Sequence, residues 1–424
     1  MRSVTKAAVL GLLLALPSAA PAEVVGQTVP AQPLTMGRLA ALPPSQIPQW
    51  TAYLERSRLL RADDMAALAA ERAGLDGTLP ASPPEGSPNS MPLDMAAGWY
   101  AAPEARTIAD NIVSYQTPAG GWGKNQDRAA PPRQPGQRFV IGDDSQWAYV
   151  GTIDNGATTT ELRFLARVQG AVPGPDGERY RAAFAKGIRY LLDAQFPNGG
   201  WPQVYPLQGG YHDALTFNDD ALADVVEVLI DAGSGRADYA FVPPALAAEA
   251  RGAVGKAVSV ILASQIVSGG RHTGWGQQHD PLTLAPVGAR NFEPASLSSN
   301  ESAALLRLLM RLPSPEPKVV EAVHDGVAWL QAAALRDVQW SAATEGDARR
   351  LTAKPGAGPL WSRFYHIGTM RPIFGDRDKT VHDDVNALST ERRNGYSWFG
   401  TGPSAAIRDY AAWAAAHARG SGAD

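Results

Sequence analysis

A turn that returns at the end of successive helix-patterned runs constrains this chain more than any other feature. Gly120-Gly121-Trp122 and Gly199-Gly200-Trp201 each close an apolar run of helical spacing, and Gly269-Gly270-Arg271-His272-Thr273-Gly274-Trp275 closes a third. Such recurrence marks a repeat architecture, in which one unit cannot bury its apolar face alone and neighbours must stack on it. The spacing predicts helices over 102–115, 154–168, 180–194, 218–232, 244–264, 296–312 and 317–335, the last leading to a further turn at Trp340. β-Branched runs of period two are scarce. The expected fold is therefore all-α, an α/α toroid or partial barrel made of helical pairs. The runs opening at Asp154, Asn218 and Ser296 begin on polar, cap-competent residues and are the expected inner helices. Running parallel round one barrel, their starts would meet on one face, and the chemistry belongs there.

Arg2 and Lys6, an apolar stretch over 7–16 and Ala20-Pro21-Ala22 read together as a signal peptide over 1–22. That stretch is shorter than the about 20 residues a spanning helix needs, and no later segment qualifies. A secreted or periplasmic monomer is expected. Residues 23–94 read as a helical extension ending in a Pro/Ser/Gly-rich linker, and 95–424 as the toroid domain. Without Arg2 and Lys6 the formal charge moves from −4 to −6, which lacks the basic footprint of a nucleic-acid binder. There are no cysteines, so disulfides and thiolate chemistry are excluded. The signatures of a serine hydrolase elbow, a zinc protease, a phosphate-binding loop and a dinucleotide fold are all missing.

Two acidic segments carry the first candidate chemistry. Asp154 lies in Thr152-Ile153-Asp154-Asn155-Gly156, with Glu161 two turns further on nearly the same helical face. Asp219 and Asp220 follow Asn218 in a second such start. Either segment alone suits helix capping. On one face of a toroid, the two bring carboxylate oxygens together where a hard cation such as Ca²⁺ could bind. The positive helix ends oppose that cation, so binding would be weak until a substrate adds its own oxygens. Arg290, in Gly288-Ala289-Arg290-Asn291-Phe292-Glu293-Pro294, is either a salt-bridged structural residue or an anion reader. Segments 364–378 and 392–398 are dense in arginine and aromatics. They suit an anionic sugar chain, because a guanidinium reads a carboxylate as a fork and aromatic rings stack on sugar faces.

In order and spacing, 116–127 (QTPAGGWGKNQD), 152–163 (TIDNGATTTELR), 195–206 (QFPNGGWPQVYP), 216–221 (TFNDDA), 288–293 (GARNFE) and 364–378 give the chain its family likeness. From about residue 95 to 413 it resembles the pectate lyases of polysaccharide lyase family 10; the extension is not covered. The resemblance implies an (α/α)₃ barrel that cleaves de-esterified homogalacturonan by Ca²⁺-assisted anti β-elimination. It implies Arg290 as the base that takes the C5 proton, Asp154 and Asp219 as calcium ligands with Asp220 beside them, and Arg377 as the cation on the uronate carboxylate. Lys124 and Asn155 become substrate contacts. The implied partner is polygalacturonate, with no nucleic acid and no membrane. A nearby cation and partial burial are expected to favour the neutral form of Arg290. The rivals are a terpenoid cyclase, an inverting glycoside hydrolase with paired carboxylates, and a carbohydrate-binding protein without turnover.

Overall fold

Four tryptophan side chains tie this molecule together by one repeated hydrogen bond. In the computed structural model, which describes residues 23–142, 150–342, 344 and 346–419, the chain forms ten α-helices. They are α1 (Ile47–Ala73), α2 (Pro103–Ser114), α3 (Thr159–Ala171), α4 (Glu178–Ala194), α5 (Ala221–Ser234), α6 (Pro244–Ser264), α7 (Ser299–Met310), α8 (Pro317–Ala332), α9 (Thr390–Gly395) and α10 (Pro403–Ala416). The indole N–H groups of Trp122, Trp201, Trp275 and Trp361 donate at 2.7 Å to the carbonyls of Ile112, Leu191, Ile261 and Leu330. Each acceptor lies in the last turn of α2, α4, α6 or α8, where helical carbonyls have no partner within the helix. The fourth turn is thus completed by Trp361. Trp340, expected in that role, lies instead in the β-hairpin of Val338–Ser341 and Arg350–Ala353.

A glutamine repeats with the tryptophans. Gln116, Gln195 and Gln265 each donate through Nε2 to two carbonyls, one in their own turn and one in the next outer helix. The turns are also tight enough to demand glycine. Gly199 has φ 105° and a Cβ there would come within 2.3 Å of the Lys256 carbonyl oxygen; at Gly120, with φ 109°, it would meet the Lys186 carbonyl at 2.7 Å.

After each of the first three tryptophans comes a two-residue strand, then an inner helix. Gly151–Thr152 pairs with Val204–Tyr205, Leu215–Thr216 with Gln278–His279, and Leu297–Ser298 with Phe364–Tyr365. Inner helices α3, α5 and α7 pack side by side, α2, α4, α6 and α8 form the outer row, and α10 packs against α7 and α8. Buried positions run round most of α3 and α5, as expected of helices enclosed by others. Pro103, Pro244, Pro317 and Pro403 open their helices, where the missing N–H costs nothing. The expected toroid of helical pairs is observed.

Residues 1–22, read as a signal peptide, lie outside the described residues. The segment from Glu23 onward joins the toroid's own core through Leu34, Leu39, Trp50, Tyr53 and Met91. On α1, Tyr53 donates to the Ala194 carbonyl, and the fully buried Asp64 carboxylate accepts the Ala119 N–H at 2.7 Å. Burial pushes the Asp64 carboxyl up to about 7, against the pull of the Ala119 N–H and of Lys186. The folded form therefore keeps its proton where the unfolded form, with an ordinary value of 3.8, has lost it. Raising pH through that interval favours unfolding, and above it the whole penalty, on the order of 4 kcal/mol, stands. Asp64→Asn, which keeps an acceptor for Ala119, should raise the melting temperature by several degrees at pH 9 and hardly change it at pH 4, as calorimetry at both pH values will check.

Candidate active site

The inner helices start later than their sequence pattern suggests, and this releases the polar residues for other work. Helix α3 begins at Thr159 and α5 at Ala221, each after a single 3₁₀ turn, Asp154–Gly156 and Asn218–Asp220. Neither Asp154 nor Asn218 caps a helix with its side chain; the expectation of caps at these starts is corrected. In both turns the middle residue is left-handed, Asn155 at φ 52° and Asp219 at φ 48°. Asp154 and Asn218 thus hold the first place of equivalent turns, and Asn155 and Asp219 the second. Left-handed backbone at a non-glycine residue costs about 1–3 kcal/mol and persists where surroundings hold it, commonly at functional sites.

A cleft of about 540 Å³ opens at these turns and is lined by Lys124, Asp154, Asn155, Asp219 and Arg290, all anticipated from sequence. Lys124 pairs with the Asp154 carboxylate, which is 5% exposed. The Asn218 amide donates to Asp154 Oδ1 at 3.3 Å and to Asp219 Oδ2 at 2.9 Å, so one nitrogen joins both acids. Gln277 donates to the Asn218 oxygen, as does Arg363 at 3.1 Å. Arg363 is 9% exposed and also binds Asp219 at 3.1 Å and Glu301 at 2.9 Å. Burial works against its charge, yet Glu301, Tyr396 and Asp219 outweigh it and raise its pKa further.

Arg290 is held by the carboxylate three residues on. Its Nε donates to Glu293 Oε2 at 2.8 Å, its Nη2 binds Glu293 Oε1 closely, and its backbone N–H reaches Oε2 at 3.0 Å. Nη1 has no hydrogen-bond partner among the described residues, and the side chain is 47% exposed on the cleft. Glu293 is 2% exposed and accepts the Tyr396 hydroxyl at 2.7 Å. These bonds to Glu293 raise the pKa of Arg290, which burial alone would lower. The expectation that surroundings favour the neutral guanidine is corrected: a buried carboxylate at bonding distance outweighs partial burial. Glu293 in turn lies below the usual carboxylate range, since burial is outweighed by Arg290. It is thus poorly suited to donate the proton that a glycoside hydrolase needs.

Two anticipated residues stand outside the cleft lining. Arg377 is exposed at its edge, with Nε and Nη2 on Glu391 at 3.2 and 3.0 Å and its guanidinium 5.2 Å from the centre of the Phe292 ring. Its charge bears on Arg290, whose guanidinium is 4.9 Å from that ring. Asp220 keeps an exposed surface but is packed near Glu301, Asp224 and Asp219. Lost hydration and those three charges push its carboxyl up to about 7. Glu161 does not join the cleft acids either; it pairs with Arg128 inside the protein at 2.8 Å.

Sequence reasoning missed Tyr211 and His212, which line the cleft with their rings stacked 3.9 Å apart. Burial and the charge of Lys124 bring His212 down to about 4, so the ring is neutral at ordinary pH. It also missed Gln203, Gln277 and Arg363, though a signal was present. Lys124, Gln203, Gln277 and Arg363 each stand two residues after a turn tryptophan, and all four reach the cleft or its acid cluster.

The cleft thus combines two half-exposed cations, Lys124 and Arg290, with a carboxylate pair joined through Asn218. Residues 116–407 match the model of a family described as pectic acid lyase. The family 10 polysaccharide lyase from Cellvibrio cellulosa is 33% identical, with a TM-score of 0.64 over 78% of this chain and 98% of that one. A mutant of that enzyme, solved in complex with trigalacturonic acid, is 32% identical, with a TM-score of 0.65 over 78% of this chain and 99% of that one. No curated protein matches. The matched stretch contains every repeat turn and every cleft residue named above, and on this evidence the chain is a lyase that belongs to the pectic acid lyase family.

Proposed function

We propose that the cleft binds de-esterified homogalacturonan and breaks it by anti β-elimination, with Arg290 as base, leaving a 4,5-unsaturated oligogalacturonate. The observation that carries this reading is the one-sided clamp on Arg290: Glu293 takes Nε and Nη2, and Nη1 is left for the cleft. A proton α to a carboxylate becomes acidic only when that carboxylate's charge is met by positive charge. Lys124 lies in the cleft for this purpose, and Arg377 at its edge can reach a uronate as a fork. Asn155, beside Asp154, contacts the sugar. Arg290 in its neutral form takes the C5 proton through Nη1, the C4–O bond breaks as the C4–C5 double bond forms, the departing glycosidic oxygen takes a proton from water, and the guanidinium then returns its proton to solvent. The Cellvibrio cellulosa relative, holding trigalacturonic acid, supports the substrate class.

The donor set suits calcium. Asp154 and Asp219 are hard oxygen ligands joined through Asn218, with Asp220 next in sequence. Among the described residues no group of three or more acids or histidines gathers at one point. Calcium takes six to eight oxygens, so water and substrate would supply the rest, and the ion is weakly held alone. When bound it supplies positive charge against the uronate carboxylate. Lys124 and Arg363 occupy the same carboxylates and must yield or share them. The terminal segment 1–22 suits export, as does a polymer too large to enter a cell; no helix among the described residues is long and apolar enough to cross a membrane.

The test is ultraviolet absorbance of the conjugated product on polygalacturonate, with and without chelator. Absorbance should rise, stop on chelation and resume on adding Ca²⁺. New reducing ends without absorbance would mean hydrolysis, and activity indifferent to chelator would remove calcium from the scheme.

A further inference from the structure

The segment before the family match runs past the loops that carry Arg377, Arg290 and Lys124 and past the loop of Tyr211 and His212. Strand Val24–Gln27 pairs with Thr380–His382, and the Thr28 N–H donates to the Lys379 carbonyl at 2.8 Å, two residues after Arg377. The Ala31 N–H donates to the Gly288 carbonyl at 2.8 Å, two residues before Arg290. The Leu34 N–H donates to the Asp213 carboxylate at 3.2 Å, next to the stacked Tyr211 and His212. Further on, the Gly86 N–H donates to the Asn125 carbonyl at 2.8 Å, beside Lys124, and the Asp127 N–H returns a bond to Pro84 at 3.1 Å.

These seams are closely packed. Thr28, Ala31, Leu34 and Leu39 are buried. At Gly288 a Cβ would lie 2.6 Å from the Val29 carbonyl oxygen, so the backbones meet there without room for a side chain. Arg38 pairs with Asp280, whose other oxygen accepts the Leu282 and Thr283 N–H groups. The loops so held are irregular, and irregular loops are mobile unless tied down. The Arg290 and Arg377 loops also touch each other, through Asn291 donating to the Arg377 carbonyl at 3.1 Å.

We infer that the N-terminal extension is a brace for the active site, with Thr28, Ala31 and Leu34 as positioning residues that hold the Arg290, Arg377 and Tyr211 loops in register. The inference rests on the reading of the cleft given above. Its physical basis is geometric: a displacement of about 1 Å at a reacting group costs on the order of a hundredfold in rate. The extension bonds to four loops that lie far apart in the sequence.

The decisive measurement compares the full chain with Thr28→Pro/Ala31→Pro, which removes the N–H donors to Lys379 and Gly288, and, as a harsher arm, with a chain lacking residues 23–41. The double variant should lose at least fivefold in kcat on polygalacturonate and keep its helical circular dichroism. Amide hydrogen exchange should quicken at 286–292 and 378–382. Thr28→Ser alone, which keeps the N–H donor to Lys379, should retain most of the activity. A wild-type kcat in either altered chain, with the helical signal intact, overturns the brace. Should the shortened chain fail to fold, the double variant decides alone. Arg290→Ala run in parallel separates the two readings: if it retains activity the assignment of the cleft has failed, whereas the exchange rates still report on the brace.

Discussion

Arg290→Ala should turn over polygalacturonate at least a hundredfold more slowly than the natural chain while melting within a few degrees of it. General bases contribute typically 10²–10⁴ in rate, which sets the floor. The side chain is about half exposed, and after its removal Glu293 keeps the Tyr396 hydroxyl and the backbone N–H of residue 290, so the structural loss is modest. The pH dependence makes the assignment sharper. Because bonding to Glu293 raises the pKa of Arg290, its neutral fraction is small at every working pH and grows tenfold per unit as pH rises. Initial rates should therefore climb with unit slope through the alkaline range, with no plateau before the fold gives way. Glu293→Gln removes the charge that raises the guanidinium, and the same limb should appear at lower pH. A flat profile in the natural chain would show that the charged form is the working one and that Arg290 stabilises charge without taking the proton.

Loss of the Glu161 carboxylate should cost about 3–5 kcal/mol of stability, since it strands a cation in the interior. Arg128 is fully buried, Glu161 is 2% exposed, and Nε and Nη2 of the arginine meet one carboxylate oxygen at 3.1 and 2.8 Å. The guanidinium otherwise has the Gly123 carbonyl at 3.1 Å and the face of Tyr115. In Glu161→Ala the melting temperature should fall by roughly 5 °C. Replacing both partners, as in Arg128→Met/Glu161→Leu, should recover most of that loss, because the penalty comes from the unpaired charge and not from absence of the pair. Calorimetry on the two single variants and the double one measures the coupling. A double variant as unstable as the worse single one would show that packing around Gly123 sets the cost.

Much of the toroid was legible because its information is local. Helix α6 was read with its ends in place, and α2 and α4 nearly so, since proline openings and glycine turns punctuate them. The inner helices were read three to five residues too early. Asp154 and Asn218 resemble caps, but the strands before them leave one left-handed turn first, and strand pairing across 50 or more residues is invisible to local pattern. Trp340 is the first tryptophan after its helical run, but the bond of Trp361 to Leu330 shows which one closes the unit.

The site divides along the same line. Lys124, Asp154, Asn155, Asp219 and Arg290 could be named from their motifs, and they share one cleft. What Arg290 experiences could not be inferred from charge counts, because it depends on a carboxylate folded back to bonding distance and shielded from water with Tyr396. The sequence by itself determined the repeating unit, since the first three tryptophan turns each bond to a carbonyl within about 15 positions. Only the tertiary structure decided which polar groups neutralise one another and how residues 23–41 meet the loops around the cleft. Those contacts join residues far apart in the chain, and hydrogen bonding and burial select them only once the helices have packed.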